Sequence, residues 1–470
     1  MSPPPRCPPS RRFPCGLLAL AVPLLAACYD DVQAPKCRTL ADCPAGQGYT
    51  ACEDGYCFKS GRCDGALPVA GDGCCAVVEG DRSADTDCLV ADHDLECRDP
   101  AGPVADADGG VFVACRTVDA GGASTLVLRR VDPAGRLEEA VEVGSAATVL
   151  APTVSRGVHV YVAHSGGVVR RDALTGVQID AIPSDTPVGG IATSGRRDLD
   201  FGVAGWPTVS GKVVLFDEKS RTASVFTAAP VTAGEDDAFP PVVSAGGLRL
   251  YVLWRDGTLH AVRIGANPSG PVAVAMLPAR PAAPPVEVDG RVFVAMEDGR
   301  LAAMTEKGAT FTTEWTTPLD GKVAGGLLAD ASGAVVAVLE SGEVAVVRDL
   351  FDRGSLVGRG DLGMAAGTAY PFLGAAPRVA AIASDGRKVA SLLRTDAAGA
   401  VAFTEGLSFT VPVAIAGTPL LAGRNLWMAT QSGHLVAWQF PDDLAGRFAR
   451  GGSDVYGTGQ TAQATAGETE

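Results

Sequence analysis

An all-β fold of repeated four-stranded units, an eight-bladed β-propeller, is the fold class this sequence predicts, and three observations predict it. A turn glycine recurs at Gly122, Gly167, Gly211, Gly257, Gly299, Gly342, Gly386 and Gly433, with successive spacings of 45, 44, 46, 42, 43, 44 and 47 residues. From about residue 100 the chain consists of short Val-, Ala-, Leu- and Ile-rich runs separated by glycine turns. Helical periodicity is absent from the same region. So regular a period marks a repeat architecture rather than a sandwich, because each unit must stack on its neighbours to bury its apolar faces.

Residues 1–27 carry Arg6, Arg11 and Arg12 with no acid among the first 13 positions, followed by an apolar stretch from Gly16 to Ala27 that Pro23 interrupts. That stretch is too short to stay in a bilayer as a spanning helix and has the anatomy of a signal peptide. It ends in Leu25-Ala26-Ala27-Cys28, which resembles the bacterial lipobox. The resemblance implies a diacylglycerol on the Cys28 sulfur, cleavage before Cys28, and acylation of the new amine. Two or three acyl chains anchor a protein stably where one gives only marginal binding. The implied partner is therefore a lipid bilayer, reached through Cys28. Tyr29, not Asp, follows the cysteine, so by analogy with the enterobacterial sorting rule the outer membrane is expected over the inner. Ser10-Arg11-Arg12-Phe13 partly resembles a twin-arginine signal, but Pro14 and Cys15 depart from it. A disulfide-rich chain would have to fold in the reducing cytosol to use that route, so general secretion is expected.

Residues 28–36 read as a lipidated tether and residues 37–99 as a small disulfide-rich module. Of 13 cysteines, Cys7 and Cys15 leave with the signal and Cys28 is lipidated. Ten remain: Cys37, Cys43, Cys52, Cys57, Cys63, Cys74, Cys75, Cys88, Cys97 and Cys115. An even number in an exported chain points to disulfides, because a short segment without a core needs covalent cross-links. Zinc is the rival reading, but the paired C-x-x-C spacing is missing. The stretch CRTLADCPAGQGYTACEDGYC resembles cysteine-rich modules of bacterial surface lipoproteins and, more distantly, epidermal-growth-factor-like modules. Cys74-Cys75 is an adjacent pair of the kind quinoprotein alcohol dehydrogenases use at their active site, yet it lies outside the repeats. Two different partners are expected for it. Cys115 is alone in the repeat region, and Cys97 is its nearest possible partner, across 17 intervening residues.

Residues 100–450 form the expected propeller. In each unit an apolar strand ends in a turn such as Asp108-Gly109, Asp289-Gly290 or Ser332-Gly333 and leads into a second strand such as RVFVAM or LRLYVLW. The recurring glycine follows, often as Asp-Gly, which suits the positive φ of a tight hairpin. A third strand (TLHAVRI, RLAAM, EVAVV) and a weaker fourth (VQIDAI, PVAVAML) complete the unit. Seven blades is the alternative, should the first unit, 101–148, be too irregular to complete one. The strand that closes the last unit is expected either from Arg447–Arg450 or from the segment before residue 100. Residues 451–470 contain almost no aliphatic side chains and are expected to be disordered.

The unit APTVSRGVHVYVAHSGGVVRRDALTGVQI resembles a pyrroloquinoline-quinone-type (PQQ-like) repeat, with Gly167 at the glycine turn and Asp172, Thr175 and Gly176 in the D-x-x-T-G loop. The tryptophan that usually follows is replaced by Ile179 and Asp180, and Trp315 is the candidate for it in another unit. The motif is shared by quinoprotein dehydrogenases and by propellers that bind no cofactor. A quinone-dependent dehydrogenase needs a carboxylate base beside a calcium site and a stacking tryptophan near the axis, and the sequence supplies no such set. The WD-repeat alternative fails because no Gly-His and Trp-Asp pair recurs.

The candidates for chemistry are few. His159, His164, His260 and His434 fall in different units without ligand spacing, and Asp92-His93-Asp94 alternates sides on an extended chain, so no metal site is expected. No nucleophile elbow, H-E-x-x-H helix or phosphate loop is present. Glu235, Asp236 and Asp237, in a loop leading to the next unit, form a possible binding loop for a cation or a basic partner. Net charge is −15 for the whole chain, which disfavours nucleic acid and anionic membrane surfaces as partners. Taken together, the sequence predicts a non-enzymatic, membrane-anchored extracytoplasmic scaffold without a cofactor, binding protein or glycan, with the outer-membrane assembly lipoprotein as functional analogy. The alternatives are a propeller enzyme and a structural surface spacer.

Overall fold

The computed structural model describes residues 51–53, 56–58 and, with short internal breaks, 89–439. Cys28, the cysteines at 37, 43, 63, 74, 75 and 88, Glu235, Asp236 and the tail 451–470 lie outside the described residues. Within the module, Ala51–Glu53 pairs antiparallel with Tyr56–Phe58, placing Cys52 opposite Cys57 in the backbone register.

Among the described residues the chain is all β, without a helix. Strands follow one another in sets of four antiparallel neighbours, called units here, with strands A to D counted in chain order. Unit 1 runs Arg98–Ala105, Val111–Val118, Ser124–Val131 and Val141–Gly144. Units 2 to 7 occupy 153–183, 192–227, 242–276, 286–318, 323–361 and 372–410. Unit 8 takes its first three strands from 415–439 and its fourth from Leu89–Asp94, which pairs with His434–Gln439. The closing strand is thus the N-terminal one, and Arg447–Arg450 lies outside the described residues. The propeller begins ahead of residue 100, and Cys115 stands in the middle of strand B of unit 1.

The sheets form a propeller because each set packs on the next. Val104, Phe112, Leu126 and Leu128 of unit 1 meet Val154, Val160 and Val169 of unit 2 in one buried cluster. Equivalent clusters join the units that follow, up to Val336, Val346, Ala390 and Leu392 between units 6 and 7. Leu420, Trp427 and Leu435 of unit 8 share a cluster with Val111, Val113 and Val127 of unit 1. Both faces of a sheet are covered, which is why the strands read as nearly continuous apolar runs. Each large side chain buried this way contributes roughly 1.5–3 kcal/mol.

Two faces follow from the topology. The A–B and C–D turns lie on one side, face I, and the B–C turns and the links between units lie on the other, face II. The recurring glycines sit in the B–C turns, and all eight have positive φ, between 69° and 131°. At Gly342 the turn is closed by its N–H to Leu339 O at 2.8 Å, and an added Cβ would stand 1.8 Å from Met364 O. The B–C turns are also tied to the link that precedes them. Val209, Arg255, Glu297 and Glu340 donate their N–H to Thr186, Asp237, Arg280 and Lys322 O at 2.7–2.9 Å.

Outer strands are clasped in two places. The fourth strands of units 4 and 5 meet in parallel at Val274↔Thr310, and those of units 6 and 7 at Gly358↔Val401. Close approach explains the glycines of Gly354–Asp361. A Cβ at Gly354 would strike Trp315 at 2.4 Å, and one at Gly358 would strike Val401 at 2.6 Å.

Candidate functional site

Face II carries the most exposed charge. On unit 6 Ser341 and Glu343 of the hairpin and the end of the fourth strand, Arg359, Gly360 and Asp361, line a shallow recess of about 450 Å³. Arg359 pairs with Glu343 across the hairpin and with Asp320 from the link before the unit. Lys322 reaches Glu340 at 3.4 Å and, on unit 5, Glu297 at 3.7 Å. Two bases therefore face five acids, counting the exposed Asp361, and the rim keeps a negative surplus. These ion pairs stand in water, where each contributes little to stability, so their charge stays accessible to a partner.

Asp237 belongs to the same face. Its carbonyl accepts the Arg255 N–H at 2.7 Å, and the Arg255 guanidinium lies 4.3 Å over the Phe239 ring.

The second polar cluster is sealed between units 2 and 3. Glu218, in the turn after Lys212–Asp217, is 3% exposed; it accepts Tyr161 Oη–H at 2.7 Å and faces Arg156 Nη2 at 3.3 Å and His159 Nδ1 at 3.5 Å. Burial opposes ionisation of this carboxyl, but the groups facing it, His159, Tyr161 and Ser155, overcome that and hold it at about 2. Burial beside Glu218 pushes the Tyr161 phenol well up. A carboxylate fixed so far below neutrality is not poised to exchange protons; it staples two sheets.

That staple recurs, and the sequence reading missed it. Arg249 binds Glu306 at 2.8 and 3.1 Å between units 4 and 5, and Arg291 binds Asp349 at 2.6 Å between units 5 and 6. Tyr161–Glu218, Arg249–Glu306 and Arg291–Asp349 are separated by 57, 57 and 58 residues. For the two arginine pairs the signal was present: an arginine opening strand B, matched one repeat later by an acid at the end of strand C. Trp315, considered for cofactor stacking, donates its Nε1–H to Asp349 Oδ1 at 3.0 Å and packs on Phe293.

The PQQ-like motif residues are also structural. Asp172 Oδ1 accepts Leu174 N–H at 3.1 Å, Thr175 N–H at 2.8 Å and the Thr175 hydroxyl at 2.8 Å, while Gly176 takes φ 68°. Bonds from the Thr175 backbone and hydroxyl hold the Asp172 carboxyl below the usual range. Asp217 repeats the device, accepting Lys219 and Ser220 N–H at 2.9 and 2.8 Å.

The histidines stay apart. His260 is buried with Nδ1 accepting Trp254 Nε1–H at 3.0 Å, and burial lowers its pKa. Burial also lowers His93 and His164. His434 pairs with Asp92 at 2.7 Å, fastening the closing strand to its neighbour. Among the described residues no group of three or more His, Cys, Asp or Glu side chains could hold a metal ion. No described helix is long and apolar enough to cross a membrane. Cys97 is bonded to Cys115, with 5.9 Å between their Cα atoms.

No family model matches the chain, and no curated protein matches it. Solved structures do. BamB from Moraxella catarrhalis is similar at 17% identity with a TM-score of 0.50, covering 75% of this chain and 99% of that one. The computationally designed Ika8 protein gives 14% identity, TM-score 0.53, and coverage of 74% and 98%. Sqt1 of Chaetomium thermophilum, bound to the N-terminus of the ribosomal protein L10, gives 11% identity and TM-score 0.59, covering 75% and 100%. At these identities the likeness shows the fold: the chain is a β-propeller.

Proposed function

We propose that this chain is a non-enzymatic binding scaffold of the cell envelope: an eight-bladed propeller held by acyl chains on Cys28 through the cysteine-rich spacer, in the outer membrane. Residues 37–88 are the spacer and residues 89–439 the propeller. Its partner is a protein or glycan met on face II. The observation that carries this reading is the acid surplus around Arg359, displayed on hairpins whose backbones are fixed by hydrogen bonds. Rigid presentation lowers the ordering cost of binding, and surface charge steers encounter. A propeller of similar fold, Sqt1, is recorded with the N-terminus of another protein bound, which supports a protein segment as the ligand class.

The test has two arms. Cys28→Ser should move the protein from the membrane fraction to the soluble one and abolish uptake of labelled fatty acid; sedimentation unchanged and no uptake by the wild type sinks the anchor. Crosslinking capture from native membranes, comparing wild type with the Glu340→Gln/Glu343→Gln/Asp361→Asn variant, tests the face. A partner retained equally by both would sink the face assignment.

A further inference from the structure

We propose that the propeller sets face I against a lipid surface and holds face II toward the bulk, a reading that rests on the anchored scaffold proposed above. The topology supplies the first reason. Leu89 pairs with Trp438 at the face I end of unit 8, so the chain enters and leaves the propeller there. Leu89, where the described propeller begins, is therefore joined to the preceding sequence at face I.

The second reason is where aliphatic side chains are exposed. Of the nine large hydrophobic side chains exposed among the described residues, Val158, Leu174, Val177, Leu248 and Leu350 stand on turns of face I. Val225 and Val274 are on outer strands, and only Val118 and Met276 end near face II. Val158, Leu174 and Val177 make one platform on unit 2, since Ala173 N–H binds Val158 O at 2.9 Å. Its backbone is braced by Asp172 and by Arg171, which donates to Gly176 O at 2.9 Å and Glu142 O at 2.7 Å. A braced loop with outward Leu and Val tips can enter the interfacial layer of a bilayer without ordering cost.

Charge is the third reason. Of the exposed bases of face I, Arg136, Arg221 and Lys307 are matched to Asp132, Asp180 and Glu314, and Lys219, Arg263 and Arg353 stand on the same face. Face II keeps its acid surplus, which an anionic leaflet repels. The tether supplies proximity; the platform and the charge asymmetry choose the side.

The experiment reads depth at two positions of the lipidated full chain, reconstituted into vesicles of phosphatidylcholine and phosphatidylglycerol at roughly 3:1 to mimic an anionic leaflet. Fluorophores at Lys219→Cys on face I and Ser341→Cys on face II are quenched by doxyl-labelled lipid, with the native disulfides kept oxidised. Quenching several-fold stronger at position 219 is expected, falling toward the value at 341 when Leu174→Asp/Val177→Asp is added. Equal quenching at both positions, stronger quenching at 341, or no response to the double variant would overturn the proposal. A parallel sample, tied to nickel-chelating lipid through an N-terminal hexahistidine tag, separates the two readings. If only the tagged protein floats with vesicles, the anchor is wrong and the tagged sample still decides the face. Shielding of position 219 without lipid, together with a doubled mass, would give the platform to a second copy of the chain and overturn the lipid assignment.

Discussion

Removing the Cys97–Cys115 bridge should loosen the seam where the ring closes. Cys115 is fully buried in strand B of unit 1, and Cys97 lies in the link from the strand that completes unit 8 to Arg98, which opens unit 1. Both belong to the apolar cluster shared by units 8 and 1. The bridged residues are 18 apart, for which the chain-entropy model gives about 3 kcal/mol. Cys97→Ala/Cys115→Ala is the suitable variant, since a serine would bury an unpaired hydroxyl at a further cost and a single change would leave a thiol free to mispair. All five tryptophans lie beyond residue 200, so their fluorescence reports the propeller rather than the module. Urea unfolding followed by fluorescence should show the double variant less stable by about 3 kcal/mol with an unchanged or larger slope. A loss below about 1 kcal/mol would mean that the unfolded chain gains little freedom from the cut, and would refute the entropic account of the seam.

Three further outcomes are expected. Glu218 has a lowered folded pKa, so the stability it contributes is fully present above its ordinary value of 4.5 and is lost as pH falls toward about 2; the drop across that window, about 3 kcal/mol at most, should be missing in Glu218→Gln, and identical acid melts for the two proteins would contradict it. Gly342→Ala should cost more than the roughly 1–3 kcal/mol of a strained φ, because its Cβ meets the Met364 carbonyl, whereas Gly290→Ala, at φ 80° with nothing within 4 Å, should cost only the backbone penalty; equal thermal shifts would refute the clash. Asp172→Ala should lower stability by about 1 kcal/mol through loss of the Asx turn and raise hydrogen exchange at Leu174 and Thr175; unchanged exchange there would show that the turn forms without its carboxylate.

Much of the propeller was legible in the sequence because the constraint is local. A B–C hairpin needs a residue at positive φ once per unit, and only glycine takes that conformation cheaply, so the Gly122 to Gly433 series marks the turns directly. The D-x-x-T-G loop was legible as a motif, but its role was not. That Asp172 caps a turn depends on three hydrogen bonds, and the same device at Asp217 carries no motif because Ser220-Arg221 replaces Thr-Gly.

The candidate faces were less legible. The Glu235, Asp236, Asp237 loop drew attention as a run of acids, whereas the surplus around Arg359 is assembled from Asp320, Glu343 and Asp361, which no window of sequence collects. Glu218 gave no signal at all, since a lone glutamate in a turn looks solvated until a neighbouring sheet brings Tyr161 and His159 against it.

By itself the sequence determined the period, the all-β class and the turn positions, because these follow from φ preferences and apolar patterning within a few residues. Only the tertiary structure decided which strand closes the ring, which carboxylates are buried and at which face Leu89 begins its strand. Those depend on contacts between segments far apart in the chain, such as Leu89–Asp94 on His434–Gln439, where many pairings satisfy the local pattern and packing selects one.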